Sequence, residues 1–162
     1  MGKKFELTDK FIINVFGIKL FQIKCTKSFK YAQKGDLGGY VEKEGNLDQE
    51  NDAWVYGNAQ VYGDAQVSGN AQVYGNAQVY GDANIKNNNE HCGFDGFGSC
   101  NRHTHAYLTK EKKVEITCGC FRGSIEEFEK KVEETHSGTI YEKQYKAIIN
   151  VIKIKFGLTD LI

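Results

Sequence analysis

Val55-Tyr-Gly-Asn-Ala-Gln, Val61-Tyr-Gly-Asp-Ala-Gln, Val67-Ser-Gly-Asn-Ala-Gln, Val73-Tyr-Gly-Asn-Ala-Gln and Val79-Tyr-Gly-Asp-Ala-Asn, closed by Ile85, make a strict six-residue repeat. A unit this short cannot bury its apolar side alone and has to stack on copies of itself. In an extended segment residues two apart share a face, so Ala59 with Val61, Ala65 with Val67, Ala71 with Val73 and Ala77 with Val79 point inward. Gln60, Gln66, Gln72 and Gln78 point the other way. The Gly-Asn or Gly-Asp pair that follows each Tyr or Ser accepts left-handed backbone, so the chain is expected to turn a corner every six residues.

Hairpin returns would alternate strand direction, yet odd and even hexads are alike, which favours parallel coils. The pattern of an aliphatic residue with a small residue two positions before it resembles the hexapeptide-repeat family, whose fold is a left-handed parallel β-helix with three hexads per coil. The resemblance implies that Tyr56 lies over Tyr74, Tyr62 over Tyr80 and Ser68 over Lys86, giving two aromatic faces and one polar face. Aromatic flats of this kind suit a subunit interface, or else a ligand ring.

Outward from the repeat, Ala53-Trp54-Val55 already has the inward spacing, with Trp54 in an outward slot. Lys34-Gly-Asp-Leu-Gly-Gly-Tyr-Val41 reads as the turn entering the first coil. It lacks the Gly-Lys-Ser/Thr ending of a phosphate loop, and a strand rather than a helix follows it. Phe11–Phe16 and Ile18–Cys25 flank Gly17 as a hairpin that would cap the coil end. Beyond Asn87, a glycine-rich loop spans Gly93 to Arg102. His103–Leu108 and Val114–Cys118 then form a second hairpin. Capping boxes at Ser124-Ile-Glu-Glu127 and Thr139-Ile-Tyr-Glu142 open two helices. The expected architecture is mainly β, with an N-terminal β-hairpin cap over 1–37, a β-helix stem over 38–90 and a β-hairpin plus two-helix head over 91–162.

Composition narrows the function. Twenty-one basic residues balance twenty-one acidic ones, so nothing argues for wrapping duplex nucleic acid. No apolar run is long enough to span a bilayer and no hydrophobic signal segment follows the N-terminal lysines, which points to a cytoplasmic protein. Glu6 stands where a myristoylation site needs Ser or Thr. Five cysteines are an odd set that suits reduced thiols. Cys118-Gly-Cys120 invites a zinc reading together with His91, Cys92, His103 and His105. Its spacing matches no paired C-x-x-C ribbon, and small buried thiols are the plainer reading. No motif calls for a cofactor or a metal.

Lys34-Gly-Asp-Leu-Gly-Gly-Tyr-Val-Glu, Gly45-Asn-Leu, the Ala53-Trp-Val entry to the hexads, Cys118-Gly-Cys-Phe121 and Glu126-Glu-Phe-Glu129 together resemble small hexapeptide-repeat proteins of bacteriophages and prophages. That resemblance implies a viral context and, as in hexapeptide proteins generally, a homotrimer. The family's acyltransferases use a histidine near the coil surface, but here His91, His103, His105 and His136 all lie outside the hexads. The candidate site is the head loop. Gly96, Gly98, Ser99, Asn101 and Arg102 offer backbone N–H groups, a hydroxyl, an amide and a guanidinium to a phosphate or carboxylate. Thr104 would share the strand face of Arg102, and His103 and His105 the other. The alternative is a solvated connection with Arg102 paired to a helix glutamate. Three readings follow: a non-enzymatic phage accessory protein that binds a small anionic ligand, such as a nucleotide signal of host defence; a hexapeptide-type acyltransferase; and a structural or host-protein-binding virion protein.

Overall fold

Gly57, Gly63, Gly69, Gly75 and Gly81 take φ between +57° and +68°, the left-handed region that turns the chain once per hexad. At Gly69 the missing side chain is also a spatial requirement, because a Cβ would overlap the Lys86 carbonyl. The computed structural model describes residues 2–159; Met1 and residues 160–162, which the expected first and third segments include, lie outside the described residues.

Three strands precede the hexads: β1 (Phe5–Ile13), β2 (Lys19–Cys25) and β3 (Leu37–Val41). The hexads supply six two-residue strands, β4 (Trp54–Val55), β5 (Gln60–Val61), β6 (Gln66–Val67), β7 (Gln72–Val73), β8 (Gln78–Val79) and β9 (Asn84–Ile85). They pair in parallel across three hexads: Trp54 with Gln72, Gln60 with Gln78 and Gln66 with Asn84. The ladder bonds are regular, as in Gln60 N–H to Ala77 O at 2.9 Å and Tyr62 N–H to Val79 O at 3.0 Å. Every Ala and Val of the inward spacing from Ala53 to Val79 is at most 1% exposed. This narrow core is what the repeat exists to bury.

The two ends of this stack are closed differently. At one end β1 and β2 form an antiparallel hairpin that continues through β3 onto β5 and β8 as one five-stranded sheet. Phe5, Ile23 and Cys25 enter the same core as the hexad residues. The buried Lys4 ammonium donates to Asn51 O at 2.6 Å and Ala53 O at 2.8 Å, and burial lowers its pKa to about 8.

The hairpin also corrects the expectation of two free tyrosine faces. Tyr62 and Tyr80 do stack, with centroids 4.6 Å apart and planes 8° apart. Leu20 and Tyr40 join them in a buried cluster, with Ile12 and Ile18 packed against it, and Phe16 lies 5.8 Å from Tyr80. Trp54 occupies its outward slot but is 1% exposed, held edge-on by Phe5 and Phe29. Only the other face stays open, with Tyr74 64% exposed.

The head differs from the expected single hairpin. Its sheet has four antiparallel strands in chain order: β10 (His91–Phe97), β11 (Arg102–Leu108), β12 (Val114–Cys118) and β13 (Phe121–Ser124). The expected glycine-rich loop is therefore mostly strand, with a register shift between Phe94 and Phe97 and a tight turn at Gly98–Asn101. Helices α1 (Ile125–His136) and α2 (Ile140–Lys155) follow. Ser124 and Glu127 close the first capping box. At the second, Thr139 caps Glu142 N–H, but the Glu142 carboxylate takes the Gly138 N–H instead of returning to Thr139.

One face of the head sheet closes the other end of the stack. Tyr107 is buried in the core of the hexads and donates its hydroxyl to Tyr80 O at 3.0 Å or Glu115 Oε1 at 2.8 Å. Thr117 Oγ1 donates to Gln78 O at 2.7 Å. The opposite face, with Ala106, Ile116 and Cys118, packs against Ile125, Phe128, Ile148 and Ile152 of the helices. No helix among the described residues is long and apolar enough to cross a membrane.

Candidate functional site

The residues chosen from the sequence do not gather into one anion loop. Gly96 is exposed at the register shift, with φ +83°. Gly98 is buried, and its N–H is already bonded to Gln144 Oε1 at 2.9 Å. Ser99 is exposed, its hydroxyl nearest the Cys100 thiol at 3.8 Å. Asn101 carries the turn at φ +49°, its N–H on Gly98 O. Thr104 is fully buried and donates to Cys118 Sγ at 3.4 Å. With the loop's best-placed N–H spent inside the fold, Arg102 alone of the set faces a cavity.

That cavity is a cleft of about 540 Å³ between the β12–β13 turn and the helices, lined by Arg102, Cys118, Cys120, Phe121, Arg122 and Phe128, with Lys131, Val132, Thr135, His136 and Tyr145 on the helix side. It is within the size range of small-molecule sites. Arg102 reaches it because β11 pairs with β12, which places Thr104 opposite Cys118 and carries the start of β11 at Arg102 to the turn beyond. Gly119 makes the approach possible: its φ is +59°, and a Cβ there would come within 2.9 Å of the Arg102 guanidinium. Helix α1 supplies the far wall, where Phe128, Lys131, Val132 and His136 fall at helical spacing on one side.

The floor is aromatic. Phe121 and Phe128 lie 5.2 Å apart, Phe128 meets Tyr145 edge-on at 5.6 Å, and His136 stacks on Tyr145 at 5.5 Å. Tyr145 is locked from behind, since a Cβ at Gly98 would overlap its hydroxyl, and the Cys118 thiol lies 3.8 Å from that hydroxyl. Burial, then the neighbouring thiol, pushes the Tyr145 pKa up, so the phenol stays protonated.

The rim is basic. Arg102, Arg122, Lys131 and His136 line the cleft, and no carboxylate among the described residues does. Arg122 Nε pairs with Glu115 at 3.0 Å, leaving the rest of its fork over Tyr80. Among the described residues neither Arg102 nor Lys131 lies within ion-pair distance of a carboxylate. His136 also ends α1, where the helix dipole favours positive charge. Such an arrangement attracts an anion and offers an apolar plane beside it.

Cys118 and Cys120 do not join the head histidines. Cys118 faces the helices, whereas His91, His103 and His105 lie on the coil side of the sheet, and among the described residues no three or more His, Cys, Asp or Glu groups converge on a metal. Sequence reasoning missed Phe121, Arg122, Phe128, Lys131, His136 and Tyr145 as site residues. The available signal was the Lys131 and His136 positions on the apolar side of α1, where charge is out of place on a core-facing stripe. Compared with protein-family models and with curated proteins, the chain matches none.

Proposed function

We propose that the protein is a non-enzymatic binding protein whose cleft takes a small anionic ligand carrying a ring, a nucleotide being the class that fits best. The observation that carries this reading is the cleft lined by Arg102, Lys131 and His136, with no carboxylate among the described residues that line it, set over the Phe121, Phe128 and Tyr145 floor. Phosphate would meet Arg102 and Lys131, and the base would lie on the aromatic floor. The site is thus shifted from the Gly96–Thr104 loop to the cleft, with Arg102 common to both.

The same proposal takes the stem as a left-handed parallel β-helix of the hexapeptide-repeat kind, supported by parallel partners three hexads apart. It takes the biological unit as a homotrimer joined through the open Tyr56–Tyr74 face. The resemblance to phage proteins supports a role as an accessory that sequesters a nucleotide signal of host defence in the host cytosol. Acyl transfer has less support, because three of the four histidines are bonded to one another and the fourth stacks on Tyr145.

Isothermal titration against cyclic and linear nucleotides tests the reading. A binder takes up at least one of them and returns it intact after denaturation. Arg102→Ala should weaken that binding by about 2 kcal/mol, the low end for loss of one partner of a desolvated charge pair, because the guanidinium keeps some solvent. Arg102→Lys should recover part of the loss, since a point charge lacks the planar fork. Absence of binding across the panel at about 1 mM, the weakest affinity worth about 4 kcal/mol, would overturn it.

A further inference from the structure

Away from the cleft, on the coil side of the head sheet, four side chains form an unbroken hydrogen-bonded row. Asp95 Oδ1 lies 2.6 Å from His103 Nδ1, His103 Nε2 lies 2.9 Å from His105 Nδ1, and His105 Nε2 lies 2.9 Å from His91 Nδ1. The row ends with His91 Nε2 at 3.4 Å from Asn88 Oδ1, and that oxygen also accepts the Gln72 N–H of the coil at 2.8 Å. One end is therefore an exposed carboxylate and the other a contact between head and coil. Gly93, paired with His105 across the sheet, makes room for the row: a Cβ there would come within 2.6–2.7 Å of the His103 and His105 rings.

Counting protons gives the row two states. Both ends are acceptors, so the four contacts need four ring protons, while three neutral imidazoles carry three. With the fourth proton present, His103 is an imidazolium against Asp95, and His105 and His91 are neutral with the proton on Nε2. Every contact is then made, including a donor from His91 to Asn88. With that proton removed, the Asp95 carboxylate keeps its bond from His103 Nδ1–H, and His105 and His91 turn to Nδ1–H. The unmade contact falls at the far end, where the His91 Nε2 lone pair faces the Asn88 oxygen.

We propose that gain or loss of one proton at the Asp95–His103 pair is relayed through His105 and His91, so that the row latches the head sheet onto the coil only while the proton is held. The charge stays on the ring beside the exposed Asp95 carboxylate because the inner rings resist it. Burial holds His91 at about 4, with Lys155 of α2 pushing the same way and a hydrogen bond to the Gln72 backbone and the Glu90 charge opposing, and burial holds His105 well below its ordinary value, with its two histidine neighbours adding to the effect. The remaining described residues beside the row on the coil side are the uncharged Gln72 and Tyr74, while Cys92 packs toward the helices. A single metal ion cannot replace this arrangement in the observed rotamers, because His105 uses opposite ring nitrogens toward its two neighbours.

Long-range proton–nitrogen spectra of the histidine rings read the tautomers directly. As pH falls from about 8 to about 5, the range over which histidine titrates, His105 and His91 of the native protein should pass from Nδ1–H to Nε2–H with the midpoint of His103. Asp95→Asn removes the countercharge from an exposed position. It should leave both inner rings as Nδ1–H throughout, and the Gln72 amide should exchange up to about tenfold faster than in the native protein at the same acidic pH, the worth of one hydrogen bond. Gly93→Ala, which disturbs the row without changing its charge, should separate the midpoints; if it does not fold, Asp95→Asn still decides. Independent ring midpoints in the native protein, inner tautomers that ignore Asp95→Asn, or stoichiometric binding of added Zn²⁺ by the three rings would overturn the latch.

Discussion

Acid should destabilise this protein through the buried His91 ring. The residue is 6% exposed, and burial takes its pKa from 6.5 to about 4. A base whose pKa is lower folded than unfolded binds more protons in the unfolded chain between those two values. The contribution of burying this ring neutral, apart from the contact to Asn88 that the row's proton adds, is full above about pH 6.5 and is lost as pH falls toward about 4. At about 1.4 kcal/mol per unit, the displacement corresponds to about 3 kcal/mol. For a chain of 162 residues that is about 6–12 °C in melting temperature. Because carboxylates such as Asp48, held below their usual range by local hydrogen bonds despite burial, also titrate in acid, the informative quantity is a difference. Melting curves of the native protein and of His91→Gln, recorded from about pH 5, where the row already holds its proton, to about pH 4, should converge as pH falls, the variant losing less. A gap that stays constant over that window would mean that His91 is not buried as a neutral ring, and the reasoning would fail.

Two further outcomes follow from the stem. If the open Tyr56–Tyr74 face joins three copies, light scattering at micromolar concentration returns the mass of a trimer, and Tyr74→Glu returns a monomer with its melting temperature little changed; a monomer in the native protein would remove that claim. Gly39→Ala should cost at least about 2 kcal/mol, because its Cβ would stand 2.6 Å from Val55 Cγ1 and 2.7 Å from the Ala59 carbonyl, and neither the core valine nor the backbone can withdraw. Denaturant melts that place Gly39→Ala within about 0.5 kcal/mol of the native protein would contradict the packing of β3 on the hexads.

How much of this was readable from the sequence follows from the distance over which each feature is encoded. The hexads carry their geometry within six residues: the small and branched inward pair, and a glycine at each corner. Spacing alone therefore gave the inward residues, while the Tyr62–Tyr80 stack followed from the three-hexad coil that the resemblance implies. The helices were legible for the same local reason, since Ser124 with Glu127 and Thr139 with Glu142 mark the caps that form. The N-terminal strand runs from Phe5 rather than Phe11 because pairing of Phe5 with Cys25 extends it past the polar Thr8–Lys10 segment. Strand β10 was read as a loop because Gly93, Gly96 and Gly98 are poor strand formers. Tertiary context decides otherwise: Gly93 is held in the ladder opposite His105, where a larger residue would not fit.

The cleft was the least legible feature, and its construction explains why. Its basic groups come from the start of β11, from β13 and from α1, and they meet only after the β12–β13 turn brings Gly119 beneath Arg102 and the helices fold back on the sheet. No window of sequence contains them together. Arg102 could be singled out because an arginine in a glycine-rich stretch is conspicuous, but the neighbours assigned to it were its sequence neighbours. In an antiparallel meander the residues that share a site are instead those one strand and one turn away, so Cys118 to Arg122 are its companions and Ser99 is not. The same geometry sets the tyrosine core apart from its surroundings: Tyr107 and Thr117 look toward the coil while Thr104 and Cys118 look toward the helices. A single sheet thus seals the stem on one face and supports the cleft on the other. A ligand at Arg102 and a proton on His103, both proposals, would act on adjacent residues of one strand from opposite faces, and the two would be coupled through that strand if either shifts its register or twist.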